Sequence, residues 1–332
     1  MQRYARFLPD MFTLALVGTV VLATFLPAEG QAATAVNYLG IFAIGLLFFL
    51  HGARLSREAI IAGIVHWRLQ LLILASTFVL FPVLGWLLSH LMPGALTPAE
   101  WLGVMFVCTL PSTVQSSIAF TSIARGNVAA AICAATASNM VGIVATPVLV
   151  TLVLHVQGAE FSLAQAWKIL LQLVAPFVAG NLLRPWLAAW AQRNRKLLAI
   201  TDRGSILLIV YAAFSEAVVG GIWHKFPPTS LIVLLLVNAL LLAIVLTTTA
   251  FGSRALGFVK EDEIAIVFCG SKKSLTTGIP MANVLFGGTI AGVIVLPLML
   301  FHQMQLIACA VLARRYAMRQ AAGQENVPAV AE

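Results

Sequence analysis

Charge is what this sequence has least of. Only 12 acidic and 20 basic side chains are spread over 332 residues, a charged share of 10%, where a soluble domain carries about 25%. So few charges cannot cover a body of this size, and a water-soluble globule is excluded. Alternating segments are also missing. A transmembrane barrel is built from runs of about ten residues with a polar inward face, whereas a stretch such as 231–250 is apolar on every side. The four cysteines, Cys108, Cys133, Cys269 and Cys309, form no C-x-x-C pair and read as small packing residues. The histidines make no H-E-x-x-H, no carboxylate cluster suggests a metal, and there is no P-loop. A metalloenzyme and an ATP-driven pump are therefore not expected. With no paired acid and base and no nucleophile constellation, the chain reads as a non-enzyme with no resident cofactor.

Hydrophobic residues make up 61% of the chain, and the mean hydropathy is +0.97. A membrane-crossing helix takes about 20 mainly apolar residues, so this content fills about ten. The runs 10–27, 36–50, 69–91, 101–124, 128–155, 166–183, 204–223, 230–253, 264–285 and 289–312 supply them. The start, with Arg3 and Arg6 ahead of 11–26, mimics a secretory leader, but with so many spans behind it a retained first helix is expected. Sixteen of the 20 lysines and arginines fall at the two ends and in the even-numbered connections, among them Arg54, Arg57, Arg68, Arg125 and Arg203. Lys225, with Lys168 at a span edge, lies on the other side. The positive-inside bias puts both termini in the cytoplasm of a multi-pass protein of a bacterial inner membrane. It also explains the +8 net charge by membrane lipid rather than nucleic acid. A homodimer is a further expectation.

The single transmembrane unit, 1–332, divides into two similar parts. CTLPSTVQSSI at 108–118 and CGSKKSLTTGI at 269–279 match at both cysteines and both isoleucines, with Thr113 on Ser274, Ser116 on Thr277 and, further on, Gly126 on Gly287. Five spans per half make 161–332, with a tail from about 316, an inverted copy of 1–156. The expected fold is all-α and polytopic: ten transmembrane helices in two inverted five-helix repeats, with broken helices 4 and 9 crossing. Matching broken helices of this kind point to a secondary transporter's binding site.

Both helices carry breakers at mid-span. Pro111 removes a backbone donor ahead of Ser112, Thr113, Gln115, Ser116 and Ser117. Gly270, Ser271, Lys272, Lys273, Ser274, Thr276, Thr277 and Pro280 crowd the ninth. A charge at mid-membrane costs about 2.5–3.5 kcal/mol, so Lys272 and Lys273 are expected to face a site. Burial and mutual repulsion favour the neutral amine, which makes one of the pair a carrier for a coupling proton. Alternatively, a charged ammonium replaces a bound cation or neutralises an anionic substrate. Glu216 is a candidate counter-ion, while Asn139 and Thr136 are candidate ligands on the fifth span.

Three runs, FFLHGARLS (48–56), TLPSTVQSS (109–117) and CGSKKSLTTGIP (269–280), resemble the bile acid:sodium symporter superfamily. The resemblance is strongest to its SBF-like, YfeH-type branch of sodium-dependent transporter candidates. It spans essentially the whole chain and implies ten helices, a core domain against a panel domain, and ions bound where the fourth and ninth helices cross. By the same resemblance, the acidic and glutamine sodium ligands of the ninth helix fall on Phe268 and Lys272. Those of the fourth fall on Ser116 and Ser117, and a third-helix glutamine on Thr77. The anionic part of the sodium chemistry is thus missing. Either sodium sits elsewhere, near Ser116, Ser117, Ser138 and Asn139, or Lys272 replaces it. The expected function is secondary active transport of a small organic anion by alternating access, coupled to sodium or protons. The rival is a channel-like or regulatory membrane protein that retains a transporter fold.

Overall fold

The computed structural model describes residues 11–54, 66–156, 163–221, 228–286 and 288–325. Arg3, Arg6, Arg57, Lys225, Gly287 and the 157–160 connection between the expected halves lie outside them. All elements among the described residues are helical. They are α1 (Met11–Phe25), α2 (Gly30–Arg54), α3 (Trp67–Leu91), α4 (Pro98–Thr109), α5 (Gln115–Ile123), α6 (Val128–Val156) and α7 (Leu163–Leu182). After these come α8 (Arg184–Arg193), α9 (Arg195–Val219), α10 (Pro228–Ala255), α11 (Lys260–Gly270), α12 (Leu275–Phe286) and α13 (Gly288–Glu325).

Six helices, α2, α3, α6, α9, α10 and α13, are long and apolar enough to cross a membrane, and α1 and α7 contribute shorter apolar stretches, Leu14–Phe25 and Leu173–Leu182. The chain is an all-helical, multi-pass membrane protein. The two runs expected at 101–124 and 264–285 are each split in two, and no half exceeds 12 residues. The causes are local. α4 opens with a capping box in which the Glu100 carboxylate accepts from the Thr97 backbone N–H at 2.7 Å and the Thr97 hydroxyl accepts from the Glu100 N–H at 3.3 Å. It ends at Leu110, extended because Pro111 follows. α11 opens with Glu261, Asp262 and Glu263 in its first turn, where acidic side chains suit the positive end of the helix dipole.

Two packing groups frame the breaks. α11 lies among α3, α5, α6 and α10, while α4, α9 and α12 pack on α13. α2 runs against α7 and α9. At the α2–α7 crossing a Cβ on Gly52 would strike the Phe177 carbonyl, and one on Gly180 the Phe49 carbonyl. Backbones in direct contact through glycine are a common solution in membranes, where there is no hydrophobic force between helices.

Just before the apolar run of α11, buried Glu263 ties three helices together. One of its oxygens, Oε1, accepts from Arg254 at 2.8 Å, from Lys260 at 2.8 Å and from the Tyr316 hydroxyl at 2.9 Å. Burial alone would push this carboxyl up, but the hydrogen bonds from Arg254, Lys260 and Tyr316 outweigh it and hold it at about 2. A carboxyl so depressed stabilises the fold above its ordinary range, and that contribution is lost as pH falls toward 2. Glu263→Gln is therefore expected to lower the melting temperature of detergent-purified protein near neutral pH, with the gap to wild type narrowing from about pH 4 downward. A gap that does not change with pH would show that the ionised form is not what matters.

Candidate functional site

A helix leaves its last four carbonyls without intrahelical donors, and the membrane interior holds no water to take them. α4 and α11 end in the buried interior of the helix bundle, with Thr109, Leu110, Cys269 and Ser271 fully buried, and all eight carbonyls are paired. At the end of α4, Phe106 O accepts from the Thr109 hydroxyl (2.8 Å), Val107 O from the Leu110 N–H (3.3 Å), Cys108 O from Lys273 Nζ (2.9 Å) and Thr109 O from the Thr146 hydroxyl (2.8 Å). At the end of α11, Val267 O accepts from the Ser271 hydroxyl (2.6 Å), Phe268 O from Ser117 (3.0 Å), Cys269 O from Ser112 (2.6 Å) and Gly270 O from Ser76 (2.9 Å). The two breaks also touch directly, since the Ser274 N–H donates to Pro111 O at 2.8 Å. Asn139 of α6 bridges them: its Nδ2 donates to Ser112 O (2.7 Å) and its Oδ1 accepts from the Thr277 hydroxyl (2.9 Å). Gln305 of α13 serves both backbone groups of Lys273, accepting from its N–H at 2.8 Å and donating to its carbonyl at 2.9 Å.

The two lysines are both fully buried yet differ in every contact. Lys273 Nζ donates to three carbonyls, Thr77 O (2.8 Å), Cys108 O (2.9 Å) and Leu110 O (2.8 Å), and lies 4.0 Å from the Phe81 ring centroid. Thr77 O is open for a reason the chain supplies. Residues Ser76–Leu80 form a π-turn within α3, where a carbonyl pairs with the N–H five residues on. For Thr77 that residue is Pro82, which has no N–H. Lys272 Nζ has no hydrogen-bond partner among the described residues and lies over aromatic faces, 4.1 Å from the centroid of Phe120 and 5.5 Å from that of Phe268. Glu216 is exposed, and what surrounds the lysines is carbonyl oxygen and ring rather than carboxylate.

In front of the breaks lies a cavity of about 400 Å³, lined by Thr113, Gln115, Ser116, Thr136, Asn139, Ser274, Thr276 and Thr277 on its polar wall. α5 starts at Gln115 and α12 at Leu275, so the first turns of both half-helices border one space. The Thr277 N–H of α12 is capped by the Ser274 hydroxyl at 3.3 Å, and the positive dipole ends of both half-helices favour an anion there. Phe48, Ile143, Phe177 and Ile206 are among the apolar lining residues, and His51, Arg54, Asp202, Arg203 and His302 also line the cavity. A single profile covers nearly all of this framework: that of the SBF-like CPA transporter family matches residues 10–318. The chain belongs to that family. Among its relatives, the uncharacterized protein PA2026 of Pseudomonas aeruginosa is 57% identical over 316 residues, 95% of each chain. The provisionally named symporter YfeH of Escherichia coli strain K12 is 57% identical over 307 residues, 92% of each chain. Sodium/bile acid cotransporter 7 of Rattus norvegicus is 29% identical over 313 residues, 91% of each chain. The family and these names indicate a transporter.

Of the residues singled out in the sequence, this family member gathers Thr113, Gln115, Ser116, Thr136, Asn139, Ser274, Thr276 and Thr277 on one cavity wall. Lys272, Lys273 and Ser117 are not among the lining residues. Ser117 is spent on the Phe268 carbonyl, and the lysines sit behind the breaks. Sequence reasoning missed Gln305, which has no motif to announce it. It counted Arg54 and Arg203 as connection charges, with Arg54 also inside the 48–56 run, and passed over Asp202. The unlike lysine environments predict unlike mutants. Lys273→Met should cost about 2–5 kcal/mol of unfolding free energy, since three buried carbonyls lose their donor. Lys272→Met should be near neutral or stabilising, because it removes a buried charge that has no hydrogen bond. Thermal or denaturant unfolding of both variants in detergent checks this, and equal losses would count against the division of labour.

Proposed function

We propose that the chain is a secondary active transporter working by alternating access. In this reading ten spans form two inverted five-helix units, the termini are cytoplasmic, and a small organic anion is carried through the cavity at the helix breaks. One observation carries the reading: the N-terminal ends of two interrupted helices border the same cavity of about 400 Å³, within the size range of small-molecule sites. The inverted halves are supported by a repeated detail. The Thr113 and Ser116 hydroxyls pair at 2.7 Å ahead of and within α5, and the matching Ser274 and Thr277 hydroxyls pair at 2.8 Å at α12. The name of the rat relative, a sodium/bile acid cotransporter, is compatible with an anionic cargo of apolar body.

For coupling, we propose that lysine replaces sodium. Lys273 Nζ, ringed by three carbonyl oxygens, has the kind of oxygen surroundings a hard cation takes. Ser117 and Asn139, expected around a sodium ion, have their polar atoms engaged by protein groups. Lys272, which has no oxygen partner, is the group that would exchange a proton with the translocation path. Proteoliposomes test this reading. Uptake of labelled organic anions should be saturable, unchanged when choline replaces sodium, and dependent on pH, and Lys272→Ala should flatten that pH profile. A rise in melting temperature on adding sodium alone would overturn the substitution of lysine for sodium. Unitary currents in a planar bilayer would replace the transporter reading with a channel.

A further inference from the structure

The cavity has a charged end that the helix breaks do not explain. Arg54, in the last turn of α2, donates to Asp202 of α9 through two nitrogens, Nη1 to Oδ2 at 2.5 Å and Nη2 to Oδ1 at 3.3 Å. The side chains keep 33% and 20% of their exposure, so the pair stands where a solute arriving from water meets it. One turn earlier His51 is held by Leu47 O at 2.7 Å, and Arg203 lies 5.7 Å from the Phe12 ring centroid. The charged lining residues are Arg54, Arg203 and Asp202, two positive against one negative, and a single negative charge brings them to balance.

We propose that the anionic head of the transported molecule competes with Asp202 for the Arg54 guanidinium, so that binding exchanges one carboxylate-like group for another on the same fork. This rests on the organic-anion reading above. Three features support it. An arginine fork presents parallel donors that match any carboxylate or sulfonate as well as they match aspartate. An ion pair that remains partly exposed is weak, so an incoming anion can displace it at little cost. The pair also sits at the rim of the cavity whose apolar wall, Phe48, Ile143, Phe177 and Ile206, is placed to take the rest of the molecule. Because Arg54 belongs to α2 and Asp202 to α9, the exchange also unties two helices, which links occupancy of the site to movement at the cavity mouth.

A staple whose only task is to hold α2 to α9 makes a different prediction, since loss of either partner would then weaken binding alike. The test is isothermal titration of benzoate, cholate and 2-naphthalenesulfonate into detergent-purified wild type, Asp202→Asn, Asp202→Glu and Arg54→Gln. For an anion that binds, Asp202→Asn should bind about threefold to fivefold tighter, the scale of releasing a partly exposed ion pair, and Arg54→Gln about tenfold weaker, the scale of losing a hydrogen bond to a charged group. Asp202→Glu, which keeps the competing charge, should stay near wild type. The Asn and Glu variants decide the matter even if Arg54→Gln does not fold. Asp202→Asn binding no tighter than wild type overturns the exchange and leaves the organic-anion reading standing. No binding of any of the three anions by either wild type or Asp202→Asn overturns both.

Discussion

A carbonyl at the end of a helix that stops inside a membrane has no water to bond, and each one left unpaired costs several kcal/mol. That constraint governs the middle of this molecule. α4 and α11 both stop there, and side-chain donors, many of them from the opposite break, take the carbonyls each leaves open. Ser112 and Ser117 reach across to α11, and Lys273 reaches across to α4. Each helix end thus depends in part on the other break, with α3 and α6 supplying Ser76 and Thr146 as further donors. The price of the arrangement is polarity at mid-membrane, and the Ser, Thr, Asn and Gln that crowd the two motifs are what that polarity consists of.

Two adjacent lysines look redundant in a sequence, yet successive residues leaving a helix end point in different directions. Lys273 enters a nest of three carbonyls, one (Thr77 O) left open by the π-turn Ser76–Leu80 ahead of Pro82 and two (Cys108 O and Leu110 O) at the end of α4. Lys272 enters a cage of Phe120 and Phe268. An ammonium in hydrocarbon is costly unless compensated. Oxygen donors compensate the first, and the negative faces of aromatic rings the second. A group held by three oxygens is fixed in place, whereas one held by ring faces can give up its proton without leaving a hydrogen bond broken. The proposed coupling role rests on that contrast.

The cavity lies where the interlocked breaks face α2, α7 and α9. The first of these surfaces is hydrogen-bonded, and the second, glycine-packed at Gly52 and Gly180, presents Phe48, Phe177 and Ile206 together with the charged end at Arg54, Asp202 and Arg203. A seam between a polar block and an apolar block is where an amphiphilic solute is held by both. In the transport cycle proposed above, the block of α2, α7 and α9 would move against the polar one, and the Arg54–Asp202 pair, which joins α2 to α9, lies within the moving block.

How much was legible beforehand differs by feature. The apolar runs, the breakers Pro111 and Gly270-Ser271, and the hydroxyls at Thr113, Ser116, Ser274 and Thr277 could all be read in order along the chain, because helix length, proline chemistry and polar residues within an apolar run are local properties. So was the expectation that 272 and 273 lie away from water, since neither end of the apolar run that holds them is near. What was not legible is which way each lysine turns. Both had been expected to meet the substrate, and neither lines the cavity. Asp202 and Arg54 are separated by 148 positions, and neither Asp202 nor Gln305 belongs to any motif that would have drawn attention to it. The sequence by itself determined that this chain lives in a membrane and must break two helices there. Only the tertiary structure decided which groups satisfy the breaks and which are left facing a solute, because hydrogen-bond partners across a helix bundle are chosen by proximity in space, which has no signature in the order of residues.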